Sequence, residues 1–160
     1  MVETKHRSLD RIDKKILTAL LADAKISNAD LSDRVGLSPS PCWQRVKRLE
    51  EAGYISGYVA ILDRDALGFP ELVIIEVTLD RHDDDALETF GKRVSHIPEI
   101  LEVYLTTGEY DYLLKVAVTG TRGYEEFLRN QLYRIPGIRH SRSSFTLRCL
   151  KHTQAFIPDE

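Results

Sequence analysis

Apolar residues recur at one period in the first part of this chain and at another in the rest. Leu9, Ile12, Ile16 and Leu20 stand three or four positions apart, with Asp10, Asp13, Lys14 and Lys15 between them. That spacing predicts an amphipathic helix over about residues 9–22. Ser27-Asn28-Ala29-Asp30 has the form of a capping box, predicting a short second helix that buries Leu31 and Val35 and ends at Gly36. Ser38-Pro39 reads as a third helix start, with serine capping and proline at the first helical position. This helix runs to about Ala52 and closes at Gly53. A short helix, a glycine turn and a second helix make the outline of a helix-turn-helix.

Tyr54 to Leu62 has the composition of a strand. It has a position that suits the wing of a winged helix, but its length favours a linker strand able to pair with another subunit. Beyond it the period changes. Leu72–Leu79 predicts a strand, Asp84–His96 a helix burying Leu87, Phe90 and Val94, and Ile100–Thr106 a strand. After the turn Thr107-Gly108-Glu109 come a strand over Asp111–Val118, a helix over Gly123–Arg134 and a strand over Arg139–Leu150. The order βαββαβ is the split-βαβ, or ferredoxin-like, pattern. Ile97-Pro98-Glu99-Ile100 and Ile135-Pro136-Gly137-Ile138 repeat 38 residues apart, each with proline stopping a helix and isoleucine opening a strand. The expected fold is α+β: a (winged) helix-turn-helix domain over 1–53, a linker strand and hinge over 54–66, and a ferredoxin-like domain over 67–160. Leu72-Val73-Ile74-Ile75 and Tyr112-Leu113-Leu114 place apolar side chains on both faces of that sheet. Two-sided strands need cover on both sides, and the simplest second cover is the same face of another copy.

Composition changes this picture little, and charge changes it more. With 42% hydrophobic and 29% charged residues the chain has the material for ordinary globular cores. There is no apolar run of the length of a signal peptide or a membrane span, so a cytoplasmic protein is expected. The two cysteines, Cys42 and Cys149, and five histidines show no metal-ligand spacing, so neither metal nor cofactor is expected. The net charge of −3 argues against a nucleic-acid partner until it is divided. Residues 1–63 hold 10 Lys/Arg against 9 Asp/Glu, net +1; residues 64–160 hold 12 against 16, net −4. Arg34, Arg45, Lys47 and Arg48 cluster in the first part, the only one suited to phosphates.

On a helical wheel of the third helix, Cys42, Val46 and Leu49 form the buried stripe. Ser40, Gln44 and Lys47 face the other way, flanked by Arg48 on one side and Trp43 on the other. Glutamine can read adenine bidentately, and lysine or arginine can read guanine or hold phosphates. A face that is merely solvated has little reason to show an indole. The free N–H groups of the Ser-Pro-Ser-Pro helix start add to a DNA-facing end. The candidate DNA-binding residues are therefore Ser38, Ser40, Pro41, Trp43, Gln44, Arg45, Lys47 and Arg48. Arg45 has two candidate partners, Glu50 and a phosphate.

Leu9-Asp10-Arg11-Ile12-Asp13, Val35-Gly36-Leu37-Ser38, and Pro41-Cys42 through Arg45-Val46-Lys47-Arg48-Leu49-Glu50 resemble the amino-terminal half of the Lrp/AsnC (leucine-responsive, feast/famine) transcription regulators. Gly108-Glu109-Tyr110-Asp111-Tyr112-Leu113 resembles the Gly-x-Tyr-Asp-Tyr-x-Leu turn of their effector domain. The resemblance implies a bacterial or archaeal, nucleoid-associated regulator of amino-acid metabolism genes. It implies homodimers assembling into octamers or similar, a pseudo-palindromic operator in double-stranded DNA, and an amino-acid effector held between dimers. By position, Thr107, Gly108, Glu109, Tyr110 and Asp111 fall at that site, with Tyr133, Ser143, Ser144 and Thr146 as further candidates. Backbone N–H groups around Gly108 suit a carboxylate and Asp111 an ammonium; Asp111 also reads as a turn residue bonding its own backbone. Trp43 resembles the subgroup whose recognition helix reads Pro-Cys-Trp, which does not carry leucine over as the ligand. An architectural DNA protein would need no polar turn of this kind. An enzyme would need a nucleophile set, phosphate loop or metal cluster, and none is present in the sequence.

Overall fold

In the computed structural model, which describes residues 8–153 and 155–158, the first two helices begin where side chains satisfy free backbone N–H groups. Asp10 caps α1 (Arg11–Ala22), accepting from the N–H groups of Ile12 and Asp13, both at 2.8 Å. Ser27 caps α2 (Asn28–Val35) by accepting the Asp30 N–H at 3.1 Å. The Asp30 carboxylate takes the Ser27 hydroxyl proton at 2.6 Å, so the expected box closes through the hydroxyl. Gly36, at φ +74°, ends α2, and the Leu37 N–H reaches back to the Ser32 carbonyl at 2.9 Å. Ser38 stands at the start of α3 (Pro39–Glu51), but its hydroxyl makes no capping bond, contrary to expectation. Position three of this helix is Pro41, which has no N–H to give. The Asn28 side-chain amide instead donates to the Pro39 carbonyl at 2.9 Å and ties the two helices at the turn.

These helices enclose a core of Ile16, Ala19, Leu31, Val35, Cys42 and Leu49, with Val46 and Tyr54 packed at its rim. The described residues divide into two compact units, one ending at Ile61 and taking in the tail from Thr153, the other Leu62–His152. Residues 1–7, 154, 159 and 160 of the two expected domains lie outside the described residues. The expected linker strand does not form: residues 55–63 carry no strand, and Val59 and Ile61 are 76% and 85% exposed. A strand requires a ladder partner, and among the described residues no strand pairs with this segment.

In the second unit β1 (Glu71–Leu79), α4 (Asp84–Val94), β2 (Ile100–Leu105), β3 (Tyr112–Val118), α5 (Thr121–Asn130) and β4 (Ile138–Phe145) follow the βαββαβ order. The sheet order is β2-β3-β1-β4, antiparallel throughout. Both Ile-Pro-x-Ile segments lead from a helix end into an edge strand, and their isoleucines pack on the core. Two predicted ends move. The helix expected to reach Arg134 breaks after Asn130 into a 3-10 turn, Leu132–Arg134. The strand expected to reach Leu150 stops at Phe145, because β1 begins at Glu71 and the last bond across is Thr146 N–H to Leu72 O, 2.8 Å.

Burial alternates strictly along β1: Val73, Ile75, Val77 and Leu79 are buried, with half-buried residues between. Tyr112, Leu114 and Val116 match them on β3, and Phe90, Val94, Phe127 and Leu132 cover this face. The opposite face holds half-buried Leu72, Ile74 and Leu113 beside a 2.8 Å Lys115–Glu102 ion pair. It is mixed rather than apolar throughout.

Gly36→Ala tests the turn. Nothing stands within 4 Å of an added Cβ there, so only the left-handed backbone is penalised. The variant is expected to lose about 1 kcal/mol of stability in urea unfolding while keeping its fold.

Candidate DNA-binding helix and effector turn

The surface of α3 separates its polar side chains into two sets. Ser40, Pro41, Trp43, Gln44 and Lys47 are exposed, and among the described residues neither Ser40 nor Gln44 has a hydrogen-bond partner. Pro39 and Pro41 lack N–H groups and the Cys42 N–H is bonded to the Ser38 carbonyl at 3.2 Å. The helix start therefore offers a single free donor, the Ser40 N–H, and not the fan of N–H groups expected. The Lys47 ammonium lies 5.4 Å from the centroid of the Trp43 ring and 3.7 Å from Glu51.

The second set turns inward. The Arg45 guanidinium reaches Asp10 at 2.6 Å and Asp13 at 2.9 Å, while Arg48 grips both Asp13 oxygens at 2.6 Å. Asp13 is buried, its side chain 4% exposed. Arg45 and Arg48, expected on the DNA face, are thus clamps between α3 and α1. Glu50, expected as a partner of Arg45, instead accepts from the Tyr58 hydroxyl at 2.8 Å. Burial and that carboxylate push the Tyr58 pKa up to about 12. The hydrogen-bonded Arg45 holds the Asp10 carboxyl below its usual range, helped by the Asp13 N–H. Asp10 and Asp13 were legible as helix-start acids; their partners 32 to 35 residues away were not.

The turn between β2 and β3 is closed by two Thr106 bonds: its N–H to Asp111 O at 2.8 Å and its hydroxyl to Tyr110 O at 2.7 Å. Thr107, Gly108 and Glu109 stand exposed on it, with Gly108 at φ +122°. The Asp111 side chain bonds outside its own turn. Its carboxylate accepts the Leu79 N–H at 2.7 Å and meets His82 Nδ1 at 2.9 Å, and its N–H donates to Val77 O at 3.0 Å. Arg142 donates to the Tyr110 hydroxyl at 3.4 Å. His82 and Arg142 were not picked out in the sequence, since neither belongs to a local motif.

The remaining candidates disperse. Tyr133 contacts Ser141 at 3.1 Å, and Ser143 accepts from the Tyr124 hydroxyl of α5 at 2.5 Å. Ser144 pairs with Ile74 on the other face. Thr146 bonds Leu72, at the far end of β1 from the turn, about 23 Å away at strand rise. Burial raises the Cys42 thiol pKa, and Cys149 is exposed. Among the described residues no group of three His, Cys, Asp or Glu is placed to hold a metal ion, and no helix is long and apolar enough to cross a membrane.

Comparison with known proteins matches both units. Residues 9–56 fit a winged helix-turn-helix DNA-binding family and residues 72–156 fit the Lrp/AsnC ligand binding domain. The chain belongs to the Lrp/AsnC family. It is 43% identical to the leucine-responsive regulatory protein of Haemophilus influenzae over 157 residues, 98% of this chain and 95% of that one. A Neisseria meningitidis transcriptional regulator solved with L-Met has a TM-score of 0.88 at 37% identity, covering 94% of this chain and 97% of that chain. The Mycobacterium tuberculosis feast or famine regulatory protein complexed with L-methionine gives 0.82 at 31%, covering 94% and 100%. This Lrp/AsnC protein is accordingly a transcriptional regulator with a DNA-binding helix-turn-helix and a ligand-binding domain of ferredoxin-like topology.

Asp13→Ala strands Arg48 and leaves Arg45 only Asp10, and should destabilise the amino-terminal unit by about 2 kcal/mol, read from helix loss by circular dichroism in urea; an unchanged midpoint would contradict the clamp. For Asp10 the folded pKa is depressed, so its contribution is present above about pH 4 and lost as pH falls through the lower folded value. Asp10→Asn should lower stability at neutral pH, and the gap to wild type should narrow as pH falls below about 4.

Proposed function

We propose that this chain binds duplex DNA through α3 in the major groove and regulates amino-acid metabolism genes in response to an amino acid. The observation that carries the reading is the exposed row Ser40, Gln44 and Lys47, whose serine and glutamine have no partner among the described residues. Buried-stripe residues Cys42 and Leu49 hold that row outward. Gln44 suits adenine, Lys47 a phosphate, and the Ser40 N–H and hydroxyl a second phosphate, with Ser38 beside it. Arg45 and Arg48 serve by holding the helix at its angle.

Two relatives solved with L-methionine support an amino-acid effector. We place it at the β2–β3 turn, its carboxylate on backbone N–H groups of Thr107, Gly108, Glu109 and Tyr110. Asp111 acts there by fixing the turn to Leu79, and a second subunit completes the site. The half-buried Leu72, Ile74 and Leu113 and the unpaired 55–62 segment support a dimer and higher assembly, with paired helices on a pseudo-palindromic operator. Such a regulator works in the cytoplasm, on the nucleoid, and needs no catalysis.

Gln44→Ala should relax sequence preference, whereas Lys47→Ala should weaken binding to every duplex and reduce the salt slope by about one. Arg48→Ala should lower stability more than it changes that slope. Unchanged affinities for operator and random DNA in the first two variants would remove α3 as the reading helix. Titration calorimetry with the twenty amino acids should find a ligand, and Asp111→Ala should lose it while still binding DNA. Asp111→Asn, which keeps an acceptor for Leu79, should retain part of the response. Heat from none of the twenty would remove the effector reading.

A further inference from the structure

We propose that Trp43 is a sequence-specificity residue: its indole packs against the C5-methyl of a thymine, while Lys47, held on the same ring, grips the adjoining phosphate. The inference rests on reading α3 as the DNA-facing helix and assigns the aromatic side chain of that face.

Trp43 is 54% exposed, the single tryptophan of the chain, and stands one turn before Lys47 on the open side of α3. An indole left half in water forgoes a large apolar burial, and no described residue of the amino-terminal core takes it in. Its side chain is nevertheless not free to wander. The Lys47 ammonium sits 5.4 Å from the ring centroid, within cation–π range, so two long side chains restrain each other. Arg45 and Arg48 lie on other sides of the helix and are drawn to Asp10 and Asp13.

The ligand chemistry follows from what duplex DNA displays. An indole offers a broad apolar plane and one N–H, so it is poorly matched to a row of phosphates. In the major groove the apolar group on a base edge is the thymine methyl. An apolar plane beside Gln44, which suits adenine, then reads a thymine next to an adenine. Lys47 lies on the ring and is long enough to reach outward past it, which places its charge on the backbone. One turn of helix thus combines a methyl contact, an amide contact and a charge.

The test uses the full chain and a duplex selected from a random pool by the wild-type protein. Each thymine of the selected site is replaced in turn by uracil, which removes the methyl and leaves every hydrogen bond. Binding is read by anisotropy at one fixed salt concentration. Wild type is expected to lose about fourfold in affinity at one position per half-site, the size of one buried methyl group. Trp43→Ala should bind the thymine duplex weaker by at least that factor and be indifferent to uracil at that position. Since Trp43 is exposed, its melting curve should match wild type. Tryptophan emission, which comes from this residue alone, should shift on binding the selected duplex.

If Trp43→Ala weakens all duplexes equally, or both proteins respond alike to uracil everywhere, the methyl contact is wrong even though α3 binds DNA. If the pool yields no selected sequence, or Gln44→Ala and Lys47→Ala bind as wild type does, it is the recognition-helix reading that fails, and this inference with it.

Discussion

A carboxylate removed from water has to be paired, and the pairing of Asp13 sets the geometry on which DNA reading depends. Its side chain is almost wholly buried at the start of α1, where it accepts from two arginines of α3. An unpaired charge in that position would be far more costly than a lost surface ion pair, so α3 is fixed relative to α1 in both angle and rotation. With Cys42 and Leu49 seated in the core, that rotation leaves Ser40, Gln44 and Lys47 outward. Two arginines of the same helix hold that row in place.

The second unit repeats the device with Asp111. A hairpin turn presented at a sheet end has few contacts of its own, and here one carboxylate bonds it to the Leu79 backbone and to His82. The turn backbone is left exposed while its base is fixed, which suits a binding loop on a rigid scaffold. In both units an aspartate ties down the element that carries exposed residues. Evidence of function then resides in the side chains left without partners, Gln44 and Ser40 on the helix and the exposed residues of the turn.

Much of this was legible in the chain. Three- and four-residue spacing set the helices, glycines marked their ends, and strand composition with two Ile-Pro-x-Ile segments set the βαββαβ order. These signals are local: each depends on neighbours within one or two turns, and the sequence presents those neighbours directly. The buried stripe of α3 and its outward row were legible for the same reason. The proline at the third helical position removes one of the two N–H groups that a Ser38 cap could use.

Tertiary structure decided what local spacing does not encode. Arg45 and Arg48 look identical to phosphate-binding arginines until α1 brings Asp10 and Asp13 beside them. Asp111 shows no tie to β1 until the fold brings the Leu79 N–H to it. Thr146 stands beside the effector candidates in sequence yet lies at the other end of the strand. The sequence by itself determined which elements form and which faces they bury, because periodicity and capping act over a few residues. Only the fold decided which charged groups were already satisfied, because a charge pairs with whatever lies nearest in space, and the partners here lie 29 to 35 residues away.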